Sequence, residues 1–239
     1  MIPAAAHSAN AREARLLLRG HRYGALSTLS AKFDGHPFGS ITPYLVDHDG
    51  SLLILISTLA EHTRNIAADP RVSLITHNQH SPEIQAQGRV TLLGTATRLD
   101  ERGTVDQRYL RYFPEARRYL AMHDFSFYRI HPSAIRYIGG FGHIHWVKPE
   151  DYLDPAPLTP EQEQDLLQQA SALPARTLSA ACARRHDVNA SEARFVGIDH
   201  DGCDLRADDR TLRFDFPQRM EDGPPIMDAV QALFTPDNC

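Results

Sequence analysis

The sequence has few cysteines and no long apolar segment, and these two shortages exclude several classes of protein. Cys182, Cys203 and Cys239 are the three cysteines among 239 residues, and they form no CxxC pair. Neither a disulfide framework nor a zinc knuckle is therefore predicted. No apolar run approaches the roughly 20 residues of a membrane-spanning helix, and the first twenty residues lack the apolar core of a signal peptide. We expect a cytoplasmic protein that is not inserted in a membrane.

Positive charge is also scarce. The chain has 25 Lys and Arg against 30 Asp and Glu, for a net charge of -5, and it has no basic stripe or arm of the kind that binds nucleic acid. It contains no G-x-S-x-G motif and no P-loop, so hydrolase and kinase chemistry are not indicated.

The stretch from Ser51 to Thr76 has the clearest local pattern. An apolar, β-branched run at Leu52–Ile56 predicts a buried strand, and the residues 59–68 that follow have the pattern of a short helix. Asp69-Pro70 ends that helix, because proline lacks an N–H and disfavours helical geometry in the residue before it. Residues 72–76 then form a second predicted strand.

Hydroxyl groups and possible cations are gathered where the first strand meets the helix. They are Ser57, Thr58, His62, Thr63 and Arg64. A helix start presents unpaired N–H groups and a partial positive charge, so this arrangement can hold a phosphate. Helix capping alone also explains a Ser-Thr pair before a helix, and both interpretations stay open at this point.

Three separated motifs carry a resemblance to a known family: the pattern S-x-L-A-x-H-T-x-N followed by D-P-R-x-S-L in Ser57–Leu74, the run Gly39–Tyr44, and Gly139-Gly140-Phe141-Gly142. Together they resemble the FMN-binding split β-barrel superfamily that includes pyridoxamine 5'-phosphate oxidase. The branch that the chain resembles most is that of the HugZ-type haem-utilisation proteins.

The resemblance implies a mainly antiparallel β split barrel with flanking helices, followed by a small α+β domain. We predict the barrel at residues 1–150, a proline-rich linker at 151–159 and the small domain at 160–239. Barrels of this superfamily are homodimers whose cofactor lies between the subunits, and the resemblance implies the same partner here. The small domain resembles a domain of unknown function, but its usual Met-Asn-x-Asp-His signature is missing, since the matching region reads Leu166–Ser171.

The first functional hypothesis is an FMN-binding oxidoreductase. The resemblance implies that the strand Ser40–Tyr44 lines the flavin ring, and that the strand-to-helix junction binds the phosphate. Gln87 and Arg89, two apart on one predicted strand, project to one face and either reach the flavin or are solvated barrel residues. The implied FMN-binding residues are Ser40, Thr42, Tyr44, Ser57, Thr58, His62, Thr63, Asn65, Gln87 and Arg89.

The second hypothesis is a haem-binding or haem-degrading protein. The run Gly142-His143-Ile144-His145-Trp146 places two imidazoles on one face of a predicted strand, and a histidine is a common axial ligand of haem iron. Asp124 is a candidate to orient such a histidine through a hydrogen bond. The alternatives are that the histidines are polar residues at a barrel rim, and that the chain is a split-barrel module without catalytic activity.

The second half of the predicted barrel contains three expectations about strand limits. We expect one long strand over Ile84–Leu99, broken or bulged at Gly88 and Gly94. We also expect a strand at Phe125–Ile130, a break at His131-Pro132, and a last strand over Ile135–Val147.

Overall fold

The computed structural model describes residues 4–78, 82–100, 103–140, 142–221 and 223–235, and for residues 4–8 it describes the backbone alone. Phe141 and Cys239 therefore lie outside the described residues. The chain divides into two compact units. The first comprises residues 1–102 and 115–155, and the second comprises residues 103–114 and 156–239.

The first unit is an antiparallel sheet curled into a half-barrel, with helices beside it. Its strands have the order β2-β1-β5-β6-β7-β4-β3, and β8 pairs with β7. The strands are β1 (Tyr23–Leu29), β2 (Pro37–Pro43), β3 (Leu45–Val46), β4 (Leu52–Ser57), β5 (Arg71–His77), β6 (Arg89–Arg98), β7 (Phe125–Ile138) and β8 (Ile144–Val147). The helices of this unit are α1 (Ala4–Arg19), α2 (Glu61–Ala68), α4 (Arg117–Leu120) and α5 (Pro149–Tyr152).

The second unit is a three-stranded antiparallel sheet with helices packed on it. Its strands are β9 (Ala193–Asp199), β10 (Gly202–Ala207) and β11 (Arg210–Asp215), in the order β11-β10-β9. Its helices are α3 (Val105–Tyr112), α6 (Pro160–Ala170), α7 (Ala175–His186) and α8 (Pro224–Phe234). The predicted fold class, a curled antiparallel barrel sheet followed by a small α+β unit, is confirmed.

The inner face of the half-barrel is filled by apolar side chains and covered by α1. Ala11, Ala14 and Leu18 of that helix are completely buried, as the spacing of its apolar residues predicts. The buried hydroxyl of Tyr44 donates to the carbonyl oxygen of Leu18 at 2.9 Å. Tyr152 of α5 is also buried, and its hydroxyl donates to the carbonyl oxygen of Gly50 at 2.9 Å. These two bonds satisfy polar groups that would otherwise be costly to bury.

The expected break at His131-Pro132 is wrong, because β7 continues through both residues. A register shift between Leu93 and Gly94 of β6 forms an irregularity at which Pro132 lies opposite Gly94. Proline is tolerated at such a place, where one ladder hydrogen bond is missing anyway. Glycine is required there, since a Cβ on Gly94 would lie 2.3 Å from the carbonyl oxygen of His131.

Two other strand limits are also wrong. The segment Ile84–Ala86 is a 3-10 turn, and β6 begins only at Arg89. The expected last strand divides at residues 139–143, where Gly140 and Gly142 have positive φ angles of 118° and 82°. Glycine adopts such angles without steric cost, so the chain reverses there.

Candidate functional site

The junction between β4 and α2 brings Ser57 and Thr58 beside Asp124, the residue that precedes β7. The Ser57 hydroxyl donates to the Asp124 carboxylate at 2.5 Å, and the Thr58 N–H donates to the Asp124 carbonyl oxygen at 2.8 Å. The N–H of Leu59 donates to Ser57 Oγ at 3.0 Å. The junction is therefore held by its own hydrogen bonds, and a carboxylate occupies the position next to the Ser57 hydroxyl.

Thr63 and Asn65 of α2 point into the protein. The Thr63 hydroxyl donates to the carbonyl oxygen of Ser57 at 2.7 Å. The Asn65 amide donates to Thr28 Oγ1 at 2.9 Å and accepts from the N–H of Ala31 at 2.9 Å. Both side chains are buried, so their role in the structure is to fix α2 and the β1–β2 loop.

His62 is the part of α2 that approaches β2. Its Nδ1 lies 3.1 Å from the hydroxyl of Ser40, and its Nε2 is buried without a hydrogen-bond partner in the structure. Burial lowers the pKa of His62 below its usual value of 6.5, because desolvation disfavours the imidazolium form. The ring is therefore mostly neutral at pH 7 and adds little positive charge at the junction.

Four more residues are assigned to flavin by the resemblance: Thr42, Tyr44, Gln87 and Arg89. Thr42 and Tyr44 are buried, and burial raises the pKa of the Tyr44 hydroxyl. Gln87 follows the 3-10 turn, whereas Arg89 begins β6, so the prediction that both lie on one strand is wrong. Because Arg89 belongs to β6, the pleat of the sheet determines the side to which its side chain projects. Gln87 lies before the strand, so this constraint does not apply to it.

The haem-ligand candidates also occupy different positions from those predicted. His143 is exposed and precedes β8, while half-buried His145 lies on β8 opposite Tyr137. The two residues are therefore not on one strand. Asp124 is at the other end of the 14-residue strand β7, and a strand rises about 3.3 Å per residue. Within one chain Asp124 is too far away to orient either histidine.

The sheet also has an exposed apolar face that local sequence patterns did not reveal. Paired residues of adjacent antiparallel strands project to the same side. The register therefore aligns one row across six strands: Ile41, Ala25, Ile75, Thr91, Arg136 and Trp146. Tyr23 and Ile144 lie on the same side, in the neighbouring row. We call this side of the sheet the outer face.

Large apolar side chains on the outer face are far more exposed than is usual for a folded protein. Ile41 is 69% exposed, Trp146 58%, Tyr23 54% and Ile144 47%. Several such residues on one continuous surface mark a binding site or an interface. Period-2 alternation within each strand is a local signal for an outward side chain, but the alignment of the strands depends on their register.

The positive charge of the outer face is concentrated at its β6–β8 end. The guanidinium carbon of Arg136 lies 5.0 Å from the centroid of the Trp146 ring. Arg89 is two residues before Thr91 on β6, diagonal to Arg136. Neither arginine forms an ion pair with a carboxylate in the described ranges, whereas Arg71 of β5 pairs with Asp69 at 2.5 Å. Two cations beside exposed apolar side chains favour an amphipathic anion as the ligand.

The chain is similar in sequence to two heme oxygenases. The chain is 38% identical over 130 residues to the chloroplastic non-canonical heme oxygenase HOZ of Arabidopsis thaliana. That match covers 54% of this chain and 40% of the relative, so the chain spans two fifths of the length of that protein. It is also 26% identical over 136 residues to the heme oxygenase HutZ of Vibrio cholerae, covering 54% of this chain and 76% of the relative.

The chain is also similar to a solved structure and matches a protein-family model. A heme binding protein from Mycobacterium smegmatis is similar over 98% of each chain, with a TM-score of 0.56 and 26% identity. Residues 5–154 match the family model described as "CREG, beta-barrel". The resemblance carried by Ser57–Leu74, to the split-barrel superfamily and its haem-utilisation branch, is confirmed. Since the matched residues make up more than half of the sequence, the chain belongs to the CREG beta-barrel family.

Proposed function

We propose that this protein binds haem at the β6–β8 end of the outer face and degrades it, as proteins of the haem-utilisation type do. The observation that carries the proposal is the combination of Arg89, Arg136 and Trp146 on an exposed apolar sheet face. Haem has a large apolar ring, which can pack on the exposed apolar side chains, and two carboxylates on one edge, which can bind the two arginines. The similarity of the chain to heme oxygenase HOZ supports the same ligand.

The contacts at the β4–α2 junction favour haem over FMN. The hydroxyls of Ser57 and Thr63 donate to acceptors of the protein itself, so they are not directed at a phosphate. The Asp124 carboxylate would repel a phosphate group, and the lowered pKa of His62 removes a compensating positive charge. FMN binding stays a prediction of the family resemblance.

Bound haem supplies an iron atom that activates dioxygen, while the protein supplies position and surroundings. Exposed His143 directly precedes Ile144, and its imidazole would be the candidate to ligate the iron. His145 is paired with Tyr137 and therefore projects to the side of the sheet opposite Ile144 and Trp146. The residues of the β6–β8 end thus include a cationic edge, an apolar surface and an imidazole.

Titration of the protein with haemin is expected to give a saturable Soret band, and titration with FMN at tens of micromolar is expected to leave FMN fluorescence unchanged. His143→Ala is expected to shift the Soret maximum, whereas His145→Ala is expected to leave it unchanged, because His145 lies on the opposite side of the sheet. Addition of ascorbate and dioxygen to the complex should bleach the band and release iron to a ferrous chelator.

The control for this titration is His36→Ala, which removes an exposed imidazole from the β1–β2 loop and is expected to leave the Soret band unchanged. Absence of a Soret band in the unaltered protein would contradict haem binding. A stable band in the presence of ascorbate and dioxygen would contradict degradation while leaving binding in place.

We also propose that a second copy of the chain covers the β1, β2 and β5 part of the outer face. The outward side chains of β1 and β2, which include Tyr23 and Ile41, carry no cation, and Ile75 of β5 continues their apolar row. This composition resembles the apolar centre of a homodimer interface. The proposed haem site then lies at one end of the interface.

Ile41→Asp is expected to shift the protein from dimer to monomer in light scattering, because it places a carboxylate in an apolar contact. A buried unsatisfied group costs about 1–3 kcal/mol, and more if it is charged, which weakens association by about fivefold to more than a hundredfold. Leu59→Asp is the matched control, since Leu59 is 71% exposed but belongs to the β4–α2 junction. A monomeric unaltered protein, or equal effects of both variants, would contradict the interface.

A further inference from the structure

The two guanidinium groups at the β6–β8 end differ from those of Arg129 and Arg15 in what surrounds them. Arg129 bonds Asp47 at 2.7 Å, and Arg15 donates to the carbonyl oxygen of Tyr152 at 3.0 Å. Arg136 instead contacts the face of Trp146, and among the described residues Arg89 donates one long hydrogen bond, of 3.4 Å, to the carbonyl oxygen of Gln85. No carboxylate of the described part of the chain therefore neutralises Arg89 or Arg136, and both guanidinium groups can bind an external anion.

The register of β6 and β7 fixes the spacing of these two cations. Arg89 is paired with Ile138, and Thr91 with Arg136, so Arg89 and Arg136 are diagonal neighbours on one face. Diagonal positions in an antiparallel pair are about 7–8 Å apart, which long arginine side chains can adjust. Two carboxylates on one edge of a planar molecule can therefore be bound at the same time, each by its own guanidinium.

Trp146 makes this arrangement specific for a planar ligand. The indole ring is more than half exposed, and the guanidinium lies over it, which holds Arg136 near the sheet surface and limits its rotamers. Ile138 and Ile144 are paired with one another beside it. A flat apolar ring can cover Ile144 and the edge of Trp146 while its carboxylates reach the cations.

We propose that Arg136 and Arg89 bind the two propionate groups of haem, with Trp146 holding Arg136 in position. This inference rests on the proposed haem function and names the residues that would select a dicarboxylic porphyrin over a neutral one. Guanidinium–carboxylate bonds are charge-assisted and frequently bidentate. Most of the selectivity is therefore expected to depend on the charge of the ligand.

The test compares haemin with haemin dimethyl ester, whose propionates are uncharged. Arg136→Gln and Arg89→Gln are each expected to raise the Kd for haemin about tenfold, as loss of one charge-assisted bond implies. The same variants should leave the Kd for the dimethyl ester unchanged within about twofold, because that ligand never formed the bond. The unaltered protein should prefer haemin over its ester.

Arg98→Gln is the matched control, since Arg98 is exposed at the far end of the same strand and its loss changes the net charge equally. A tenfold loss in that variant too would show a general charge effect and overturn the assignment. Equal losses for haemin and its ester would also overturn it, as would haemin binding that neither variant weakens. If the unaltered protein binds neither ligand, the proposed function fails and this inference fails with it.

Discussion

Replacing Arg213 by Met is expected to destabilise the second unit by about 3–5 kcal/mol, the usual cost of removing one partner from a buried ion pair. The Arg213 guanidinium contacts Asp199 at 2.6 and 2.9 Å and Asp204 at 3.2 Å, and all three side chains are at most 5% exposed. Without the cation, two carboxylates remain buried in a low-dielectric environment. Urea unfolding followed by far-UV circular dichroism measures the loss, which is large against a typical domain stability.

The double variant Arg213→Met with Asp199→Asn identifies the cause of that loss. Asparagine keeps an oxygen to accept the N–H of Asp201, which bonds Asp199 Oδ1 at 2.8 Å, but carries no charge. We therefore expect the double variant to be more stable than Arg213→Met alone. Arg210→Met, at an exposed position of β11, serves as the control and should cost little. Equal stability of the single and double variants would contradict the electrostatic explanation.

Glu163→Gln is the second substitution with a large expected effect, about 3 kcal/mol for a broken buried ion pair. The Glu163 carboxylate is 1% exposed and lies 3.3 Å from Arg108 Nε, and it also pairs with Arg111. Both arginines come from α3, which the chain forms between two barrel strands yet which belongs to the second unit. A neutral amide would face two guanidinium groups, one of them buried.

Hydrogen exchange can locate the effect of Glu163→Gln. Amides of α3 and of the neighbouring strand β9 should lose protection first, because Glu163 also accepts the N–H of Ile198 at 3.3 Å. Glu161→Gln is the matched control, two residues earlier on the exposed side of α6. Protection lost evenly over the second unit, or an equal effect of the control, would show that α3 does not depend on this pair.

Local signals in the sequence predicted the strand–helix–strand segment β4–α2–β5 correctly, and they also mark turns and helix starts elsewhere. The Asp34-Gly35 turn has the positive φ angles of 49° and 76° that residues of this type adopt. Residues 160–170 begin with a proline behind Thr159, which is typical of a helix start, and they form α6, where Thr159 and Gln162 form a capping box. These features depend on neighbours within four residues, so they can be read without the fold.

Features that depend on distant partners could not be predicted in this way. From its local sequence, Pro132 predicts a break in the strand. Its position opposite Gly94, at the register shift of β6, explains why β7 continues through it. Arg108 and Arg111 of α3 pair with Glu163, which lies more than fifty residues later in the chain. A pattern within a short window carries no information about such pairings.

The sequence by itself determined the local elements, the family and the chemical candidates for a cofactor site, because each depends on short motifs. Only the tertiary structure decided which candidates meet. It directed the Ser57 and Thr63 hydroxyls to acceptors of the protein and aligned Arg136 and Trp146 with the apolar row. The physical reason is that strand register is set by hydrogen bonds between segments far apart in the chain, and a shift of one residue would turn each side chain to the opposite face.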